Sequence, residues 1–148
     1  MSNRIPEGRL PGFLGYQLRR AHTLVFQSFA EQLEDLNVTP GQVGLILTVE
    51  ANPGISQAAL ARALGVERAT LGEALERLTA RGILERRPAP DDRRSHAVHL
   101  TGAGQQFVER LIPRLEQHER LATAALSDEE RRTLTGLLGR LTESNAGS

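Results

Sequence analysis

The chain has 148 residues, and its 18 cationic side chains, all of them arginine, are balanced by 18 carboxylates. This zero net charge excludes the global basic field of a non-specific nucleic-acid binder, so any DNA binding must come from local placement of charge. The absence of cysteine excludes disulfides, a thiol switch and a cysteine zinc site. The sequence has neither the apolar core of a signal peptide nor an apolar run long enough to cross a bilayer, which predicts a soluble, cytoplasmic protein with no membrane partner.

The first predicted helix covers residues 12–36. It follows an arm at 1–11 that is expected to lie over a partner or to stay mobile. One apolar stripe recurs at helical spacing and is expected to be buried: Leu14, Leu18, Ala21, Val25, Phe29 and Leu33. A second, mixed face carries Tyr16, Arg19, His22 and Phe26, and Asn37 ends the helix.

Three further helices are predicted between residues 40 and 81. The segment TPGQ at 39–42 is a capping box with proline at the first helical position, and it predicts a largely buried helix over 40–50. Two more helices, over 57–64 and 67–81, are separated by Gly65. Two helices joined by so short a turn predict a helix-turn-helix, in which the second helix enters the major groove of DNA.

Strands over 83–87 and 95–100, joined by a loop over 88–94, form a predicted two-stranded ribbon. The loop is longer than a two-residue hairpin turn, so the sequence leaves its register open. A run of charged residues near the tip is often only a solvated turn, but beside a recognition helix its arginines can reach the adjoining minor groove. These residues are Arg86, Arg87, Asp91, Asp92, Arg93 and Arg94.

Two helices close the chain. Thr101 is expected to cap a helix over 102–125, and Pro113 is expected to bend it. A second capping box, SDEE at 127–130, opens the last helix, and residues 143–148 are expected to be disordered. The last helix has one apolar face, formed by Leu134, Leu137, Leu138 and Leu141.

The apolar faces of the first and last helices favour a two-fold homodimer, because two-fold dimers are the commonest closed oligomers; a closed monomeric bundle is the alternative. The predicted fold class is mainly α with a small β-ribbon. A winged helix-turn-helix region covers 38–101, and helices at 12–37 and 102–143 form the dimerisation region of a single unit of residues 1–148.

Exposed positions on the second helix of the helix-turn-helix are the predicted DNA contacts. Ala69 and Gly72 are small enough to let the helix approach the groove closely, and Arg68 suits guanine. Glu73 has three interpretations: an ion pair that orients Arg77, an acceptor for a cytosine amino group, or a solvated side chain. The predicted DNA-binding residues are Ser56, Arg68, Ala69, Thr70, Gly72, Glu73, Arg77, Asp92, Arg93 and Arg94.

Three short segments carry a resemblance to a known family. They are LTARGILER at 78–86, DRRS at 92–95 and LTGAG at 100–104. Together with the order of the helices, they make residues 12–141 resemble the MarR family of bacterial transcription regulators. Glu67, at the start of the recognition helix, and Glu73 depart from the family's usual pattern, which leaves the operator sequence open.

The resemblance implies an obligate homodimer that binds a pseudo-palindromic operator and usually represses. It also implies that Arg94 enters the minor groove with Asp92 as its ion-pair partner. Many members of the family release DNA on binding a small, often phenolic or aromatic carboxylic ligand between the dimerisation helices and the winged domain.

The mixed face of the first helix is the candidate ligand site. Tyr16, Arg19, His22 and Phe26 offer aromatic surface, a fork for a carboxylate and a neutral donor, which suits an aromatic acid or its thioester. The alternative is that Phe26 belongs to the core and that the polar residues are solvated or bridge a dimer.

Neither a metal nor a cofactor is expected. His96 and His99 are three apart on a strand and point to opposite faces, and His22 with His118 would make a poor site without nearby carboxylates. The chain offers no nucleophile–base pair and no phosphate loop, so we expect no enzyme. The remaining rival is a winged-helix module that mediates only protein–protein contacts.

Overall fold

The computed structural model describes residues 5–90 and 92–145, and it describes the side chains of all of these except 92–95 and 144–145. Six α-helices and three β-strands form the described part, with short 3-10 helices at Leu10–Gly12 and Glu34–Leu36. The elements are α1 (Leu14–Leu33), α2 (Pro40–Ala51), β1 (Ile55–Ser56), α3 (Gln57–Leu64), α4 (Arg68–Ala80), β2 (Leu84–Ala89), β3 (Asp92–Leu100), α5 (Gly102–Ala122) and α6 (Asp128–Asn145).

The starts of α2 and α3 are confirmed by their capping hydrogen bonds, whereas the first helix begins at Leu14 and not at residue 12. Thr39 Oγ1 accepts from the Gln42 backbone N–H at 3.1 Å, and the Gln42 side chain accepts from the Thr39 N–H at 3.1 Å, so the capping box is complete. The Ser56 hydroxyl caps α3 by accepting from the Ala59 N–H at 3.1 Å. Asn37 ends the first helical segment in the left-handed region, with φ 50°.

Ser127 and Glu130 form the second predicted capping box. The Glu130 N–H donates to Ser127 Oγ at 3.1 Å, and the Ser127 N–H donates to the Glu130 carboxylate at 2.8 Å. The helix that follows runs to Asn145, so the prediction of a disordered tail from residue 143 was wrong for 143–145, and residues 146–148 lie outside the described part. The preceding helix, α5, ends at Ala122 rather than near 125, and it contains Pro113 as expected.

The sheet is antiparallel with the order β1-β3-β2. The prediction missed β1, which has only two residues. It also made the ribbon too short: β2 continues through Pro88 to Ala89, and β3 begins at Asp92. The connection is therefore two residues, 90 and 91, and not the predicted loop over 88–94. A register shift between Pro88 and Ala89 accommodates the proline at the sheet edge.

One apolar core joins α2, α3, α4, the ribbon and the first half of α5. Leucine dominates it, in keeping with a sequence in which only 3% of the residues are aromatic. The residues that are less than 2% exposed are Leu33, Leu45, Ile46, Val49, Leu60, Leu75, Leu78, Leu84, Val98 and Leu111.

The N-terminal half of the predicted stripe on α1 is not buried in the single chain. Phe29 and Leu33 enter the core, but Leu14 is 59% exposed and Leu18 is 38% exposed. On α6, Leu137 is 51% exposed. The helical period of these residues was predicted correctly, but the chain by itself does not cover them.

The winged region joins α5 through Thr101 without intervening residues. The Thr101 hydroxyl accepts from the Gly104 N–H at 2.9 Å, which caps α5, and it donates to the backbone carbonyl of Gly82, with the carbonyl of Ile83 as a further acceptor at 3.2 Å. The Thr101 N–H also donates to Ile83 O at 3.1 Å. The end of β3, the start of the ribbon and the first turn of α5 are thus held at one point.

Candidate nucleic-acid interface

The pair α3 and α4 has the geometry of a helix-turn-helix. Gly65 ends α3 with φ 65°, and its N–H donates back to Arg62 O at 3.2 Å, so the chain reverses within one residue. Only two further residues precede α4. Leu71, Leu75 and Leu78 pack α4 into the core, which leaves the opposite side of the helix on the surface.

The exposed side of α4 contains the residues that the sequence indicated. Arg68, Ala69, Thr70, Glu73 and Arg77 are all exposed. The first three lie in the first turn of α4, the part of a recognition helix that contacts base edges. The structure therefore brings together the five non-glycine residues predicted on this helix.

Gly72 is not required by packing within the chain. A Cβ built at this position meets no atom within 4 Å, although glycine in a helix costs about 1 kcal/mol relative to alanine. Nothing inside the molecule explains that cost.

Two acidic residues lie on or beside α4. Glu73 and Arg77 are four residues apart, yet within the described part of the chain they form no ion pair within 4 Å, so the structure does not support the first of the three interpretations of Glu73. Glu67 occupies the N-cap of α4 and makes no side-chain capping hydrogen bond. The first turn of α4 therefore keeps backbone N–H groups without a side-chain cap.

The ribbon places charge beside the helix-turn-helix. Arg87 is exposed, and its Nε donates to Glu85 at 2.8 Å. Arg86 is less exposed. Its Nε is buried and has no hydrogen-bond partner among the described residues, and Arg86 lies opposite buried Val98 on the neighbouring strand. Asp91 and the side chains of Asp92, Arg93 and Arg94 lie outside the described residues, so the predicted minor-groove contact and its ion pair stay predictions.

The predicted ligand face of α1 forms two stacked pairs. The His22 ring lies on Phe26 with ring centroids 4.0 Å apart, and the Arg19 guanidinium lies 5.6 Å from the centre of the Tyr16 ring. The guanidinium of Arg20, which was not among the predicted ligand residues, lies 5.5 Å from the centre of the same Tyr16 ring. Phe26 is 42% exposed, so in the single chain it is not the core residue that the alternative proposed.

His118 is buried apart from this face. Its Nδ1 lies 3.3 Å from Ser28 Oγ, and its ring meets Phe29 edge-on at 5.6 Å. Across the residues that the structure describes, no three His, Asp or Glu side chains are grouped to hold a metal ion. None of the helices described is long and apolar enough to cross a membrane.

Two arginines bind the turn that follows α1, one from the end of α4 and one from α5. Arg81, at the end of α4, donates to the backbone carbonyls of Asn37 at 2.6 Å and Leu36 at 3.0 Å. Arg114, on α5, donates to both carboxylate oxygens of Asp35 at 2.9 and 2.7 Å. The hydrogen bond from Arg114 lowers the pKa of Asp35 below its ordinary value.

A capped helix-turn-helix with an exposed second helix, followed by an antiparallel ribbon, defines a winged helix-turn-helix protein of the DNA-binding class. The model of the MarR family matches residues 36–95. A candidate transcriptional regulatory protein for the hcr operon of Thauera aromatica is 38% identical over 135 residues, which are 90% of this chain and 81% of that protein. The chain belongs to the MarR family of transcription regulators.

Solved structures agree with this assignment. The transcriptional repressor CouR, bound to a 23-mer DNA duplex, superposes with a TM-score of 0.90 at 33% identity, covering 95% of this chain and 99% of that chain. BpsR of Bordetella bronchiseptica, described with regulation of its DNA binding by 6-hydroxynicotinic acid, superposes with a TM-score of 0.78 at 29% identity, covering 87% and 98%. The predicted family, the fold class and the non-enzymatic regulatory function are therefore confirmed.

Proposed function

We propose that the chain is a cytoplasmic, homodimeric repressor that binds a pseudo-palindromic operator and releases it on binding an aromatic acid or its thioester. The observation that carries the proposal is the surface of α4, where small and polar residues stand exposed at the turn that enters the major groove. The winged region at 38–101 binds DNA, and the helices at 12–37 and 102–143 pair two copies.

Exposed leucines support the homodimer. A groove of about 830 Å³ is lined by Leu14 of α1 and by Leu134, Leu137, Leu138 and Leu141 of α6. Leu134 and Leu141 are 43% and 44% exposed. A contiguous apolar surface of this kind on a soluble chain marks an interaction site. In a two-fold dimer, the same two helices of a second copy would pack against this surface.

The DNA contacts divide between helix and ribbon. In the major groove, Arg68 pairs with guanine and Thr70 meets a base edge or a phosphate, while Ala69 and Gly72 provide clearance. Arg77 and the N-terminus of α3 at Ser56 contact phosphates. Glu73, which has no ion-pair partner in the described chain, accepts from a cytosine amino group.

The ribbon supplies the second part of the DNA contact. Arg93 and Arg94 lie in the minor groove, where narrow tracts attract arginine, and Asp92 holds Arg94 by an ion pair. The described backbone supports this arrangement, because β2 and β3 pair through Ala89 and Asp92 and leave a tip of only two residues. A tip this short carries the three side chains on strand backbone and not on a free loop.

The ligand proposal uses the exposed face of α1. The Arg19 guanidinium and the stacked His22–Phe26 pair place a cationic fork within about two helical turns of an aromatic surface, a combination suited to an aromatic carboxylate. The regulation of BpsR by 6-hydroxynicotinic acid supports the same ligand class. Tyr16 completes the aromatic surface.

Selection of bound duplexes from a random DNA pool tests the proposed regulator. We expect a two-fold symmetric consensus, two chains per duplex, and a dissociation constant that rises steeply with salt because phosphate contacts release counterions. A winged-helix module for protein contacts would instead enrich no sequence. Failure to bind any duplex from the chain's own promoter region below micromolar concentration at low salt would contradict the proposal.

A double variant tests the ligand face. Arg19→Ala with His22→Ala should bind the selected operator like the wild type but should no longer release it when aromatic acids are added. Fluorescence anisotropy of the labelled operator measures both properties. If the double variant is still released by the same acids at the same concentration, the ligand lies elsewhere.

A further inference from the structure

Arg81 connects the recognition helix α4 to the turn that follows α1 and to α5. It lies at the C-terminal cap of α4, and its guanidinium reaches the 3-10 turn that follows α1, 44 residues earlier in the chain. There it donates to Asn37 O at 2.6 Å and to Leu36 O at 3.0 Å. Its Cζ also lies 5.6 Å from the centre of the buried Phe107 ring of α5.

The acceptors explain why an arginine suits this position. Carbonyls at the end of a helical segment have no partner within the helix, and the left-handed conformation of Asn37 turns the chain away before the ladder can continue. The planar fork of arginine satisfies two such carbonyls at once, and its face packs on an aromatic ring. Lysine offers neither the fork nor the flat face.

The same turn is also held from the other side. Arg114 of α5 donates to the Asp35 carboxylate and to the backbone carbonyl of Gln32. Residues 32–37 are therefore bound to α5 by Arg114 and to the end of α4 by Arg81. Among the described residues, the side-chain hydrogen bonds that join α4 to this turn are both donated by Arg81.

We propose that Arg81 is a positioning residue that fixes the angle of α4 relative to the dimerisation helices, and that it thereby sets the half-site spacing the dimer accepts. The inference rests on the proposed function, because spacing has meaning only for a dimer on a two-fold operator. Half-sites must lie about 34 Å apart to place both recognition helices in successive major grooves. A tether at one end of α4 controls where its other end meets the DNA.

The length of α4 shows how sensitive the spacing is. Its 13 residues span about 20 Å at 1.5 Å per residue. A rotation of about 10° over that length displaces the far end by roughly 3.4 Å, which is one base-pair step. Loss of the tether removes one restraint on that angle, so spacings that are one base pair shorter or longer should become less unfavourable.

The experiment compares spacing preference, using the operator obtained from the random pool. Duplexes are prepared with the selected spacing and with one base pair inserted or removed at the centre, and a single half-site is measured as well. Wild type should disfavour the altered spacings by about tenfold or more, since a misplaced half-site loses base contacts and even one mismatched base pair weakens binding by about fivefold or more. Arg81→Met should reduce that preference to about threefold or less while it keeps the half-site affinity.

Arg110→Met is the matched control. The Arg110 guanidinium lies over the same Phe107 ring, also at 5.6 Å, but it makes no hydrogen bond to residues 36 or 37. This variant should keep the wild-type spacing preference. Arg81→Lys, which preserves the charge but not the fork, should be intermediate, and it serves as the test if Arg81→Met fails to fold by circular dichroism.

The outcomes separate the inference from the proposed function. If wild type binds no duplex, the proposed function fails. If wild type binds without a spacing preference, or if Arg81→Met weakens all spacings by the same factor, the positioning role is refuted while the regulator stands. An equal loss of preference in Arg110→Met would assign the effect to the aromatic ring and would likewise overturn the role of Arg81.

Discussion

Replacing Gly104 by alanine would place a methyl group against the backbone at the start of the ribbon. A Cβ at this position would lie 2.1 Å from Ile83 O, 3.1 Å from the Ile83 carbonyl carbon and 3.2 Å from Leu100 Cδ2. Because the nearest atom belongs to the backbone, no side-chain rotation relieves the overlap, and α5 must move by about 1 Å. That movement strains the hydrogen bond between the Thr101 N–H and Ile83 O.

The expected change in the free energy of unfolding combines two costs and one gain. Overpacking costs about 1–3 kcal/mol, and weakening one buried backbone hydrogen bond costs about 1 kcal/mol. The better helix propensity of alanine returns up to about 1 kcal/mol. We therefore expect Gly104→Ala to lower the free energy of unfolding by about 2 kcal/mol, or the melting temperature by roughly 4–8 °C for a chain of this size.

Gly102→Ala provides the control, because a Cβ there meets no atom within 4 Å and it lies in the same first turn of α5. Both variants are unfolded by urea and by heat at one protein concentration, since the stability of a dimer depends on concentration. Gly102→Ala should be neutral or slightly stabilising. If Gly104→Ala is as stable as Gly102→Ala, then α5 does not approach Ile83 as closely as described, and the reasoning fails.

Three further variants test the ion pair and the DNA surface. The hydrogen bond from Arg114 lowers the pKa of Asp35, so the contribution of this pair to stability is present above the ordinary pKa of 3.8 and is lost as the pH falls through the lower folded value. Urea unfolding should therefore show wild type to be more stable than Asp35→Asn at pH 7, and the difference should disappear in acid. A difference that is independent of pH would contradict the assignment. Gly72→Ala should stabilise α4 by up to about 1 kcal/mol yet weaken operator binding, and unchanged binding in an anisotropy titration would show that close approach is not needed there. Glu73→Gln should relax the preference for one cytosine per half-site by about five- to 100-fold in repeated selections, and an unchanged consensus would leave Glu73 without a base contact.

Local signals in the sequence were sufficient for several helix starts and for the stop at Gly65. The capping boxes at Thr39 and Ser127 and the stop at Gly65 depend on residues within one turn of each other, and each is present in the structure. The exposed face of α4 followed from the spacing of its buried leucines. These features need no knowledge of distant parts of the chain.

The ribbon shows where local signals fail. The predicted first strand stopped before Pro88, and proline cannot donate to the ladder. In the structure β2 lies at the edge of the sheet, where a missing donor leaves no partner unsatisfied, so the strand continues. The two residues of β1 are too few for any periodic pattern, and their pairing with β3 is a contact between distant segments.

Long-range contacts were also beyond prediction. The bond from Arg81 to Asn37 spans 44 residues, and that from Arg114 to Asp35 spans 79, so no spacing rule reveals them. For Leu14 and Leu137, the helical period identified an apolar face but not the surface that covers it. Both leucines remain exposed in the single chain.

The junction at Thr101 decides which parts of this regulator can act as a hinge. Because β3 passes into α5 without a linker, and one hydroxyl both caps the helix and holds the ribbon, a rotation of α5 is transmitted to the ribbon without loss. Residues 37–39, which connect the 3-10 turn to α2, are restrained as well, because Arg81 binds the Asn37 carbonyl and the capping box holds Thr39. A ligand that rotated α5 would therefore carry the ribbon with it and would change DNA binding without touching the DNA-binding surface.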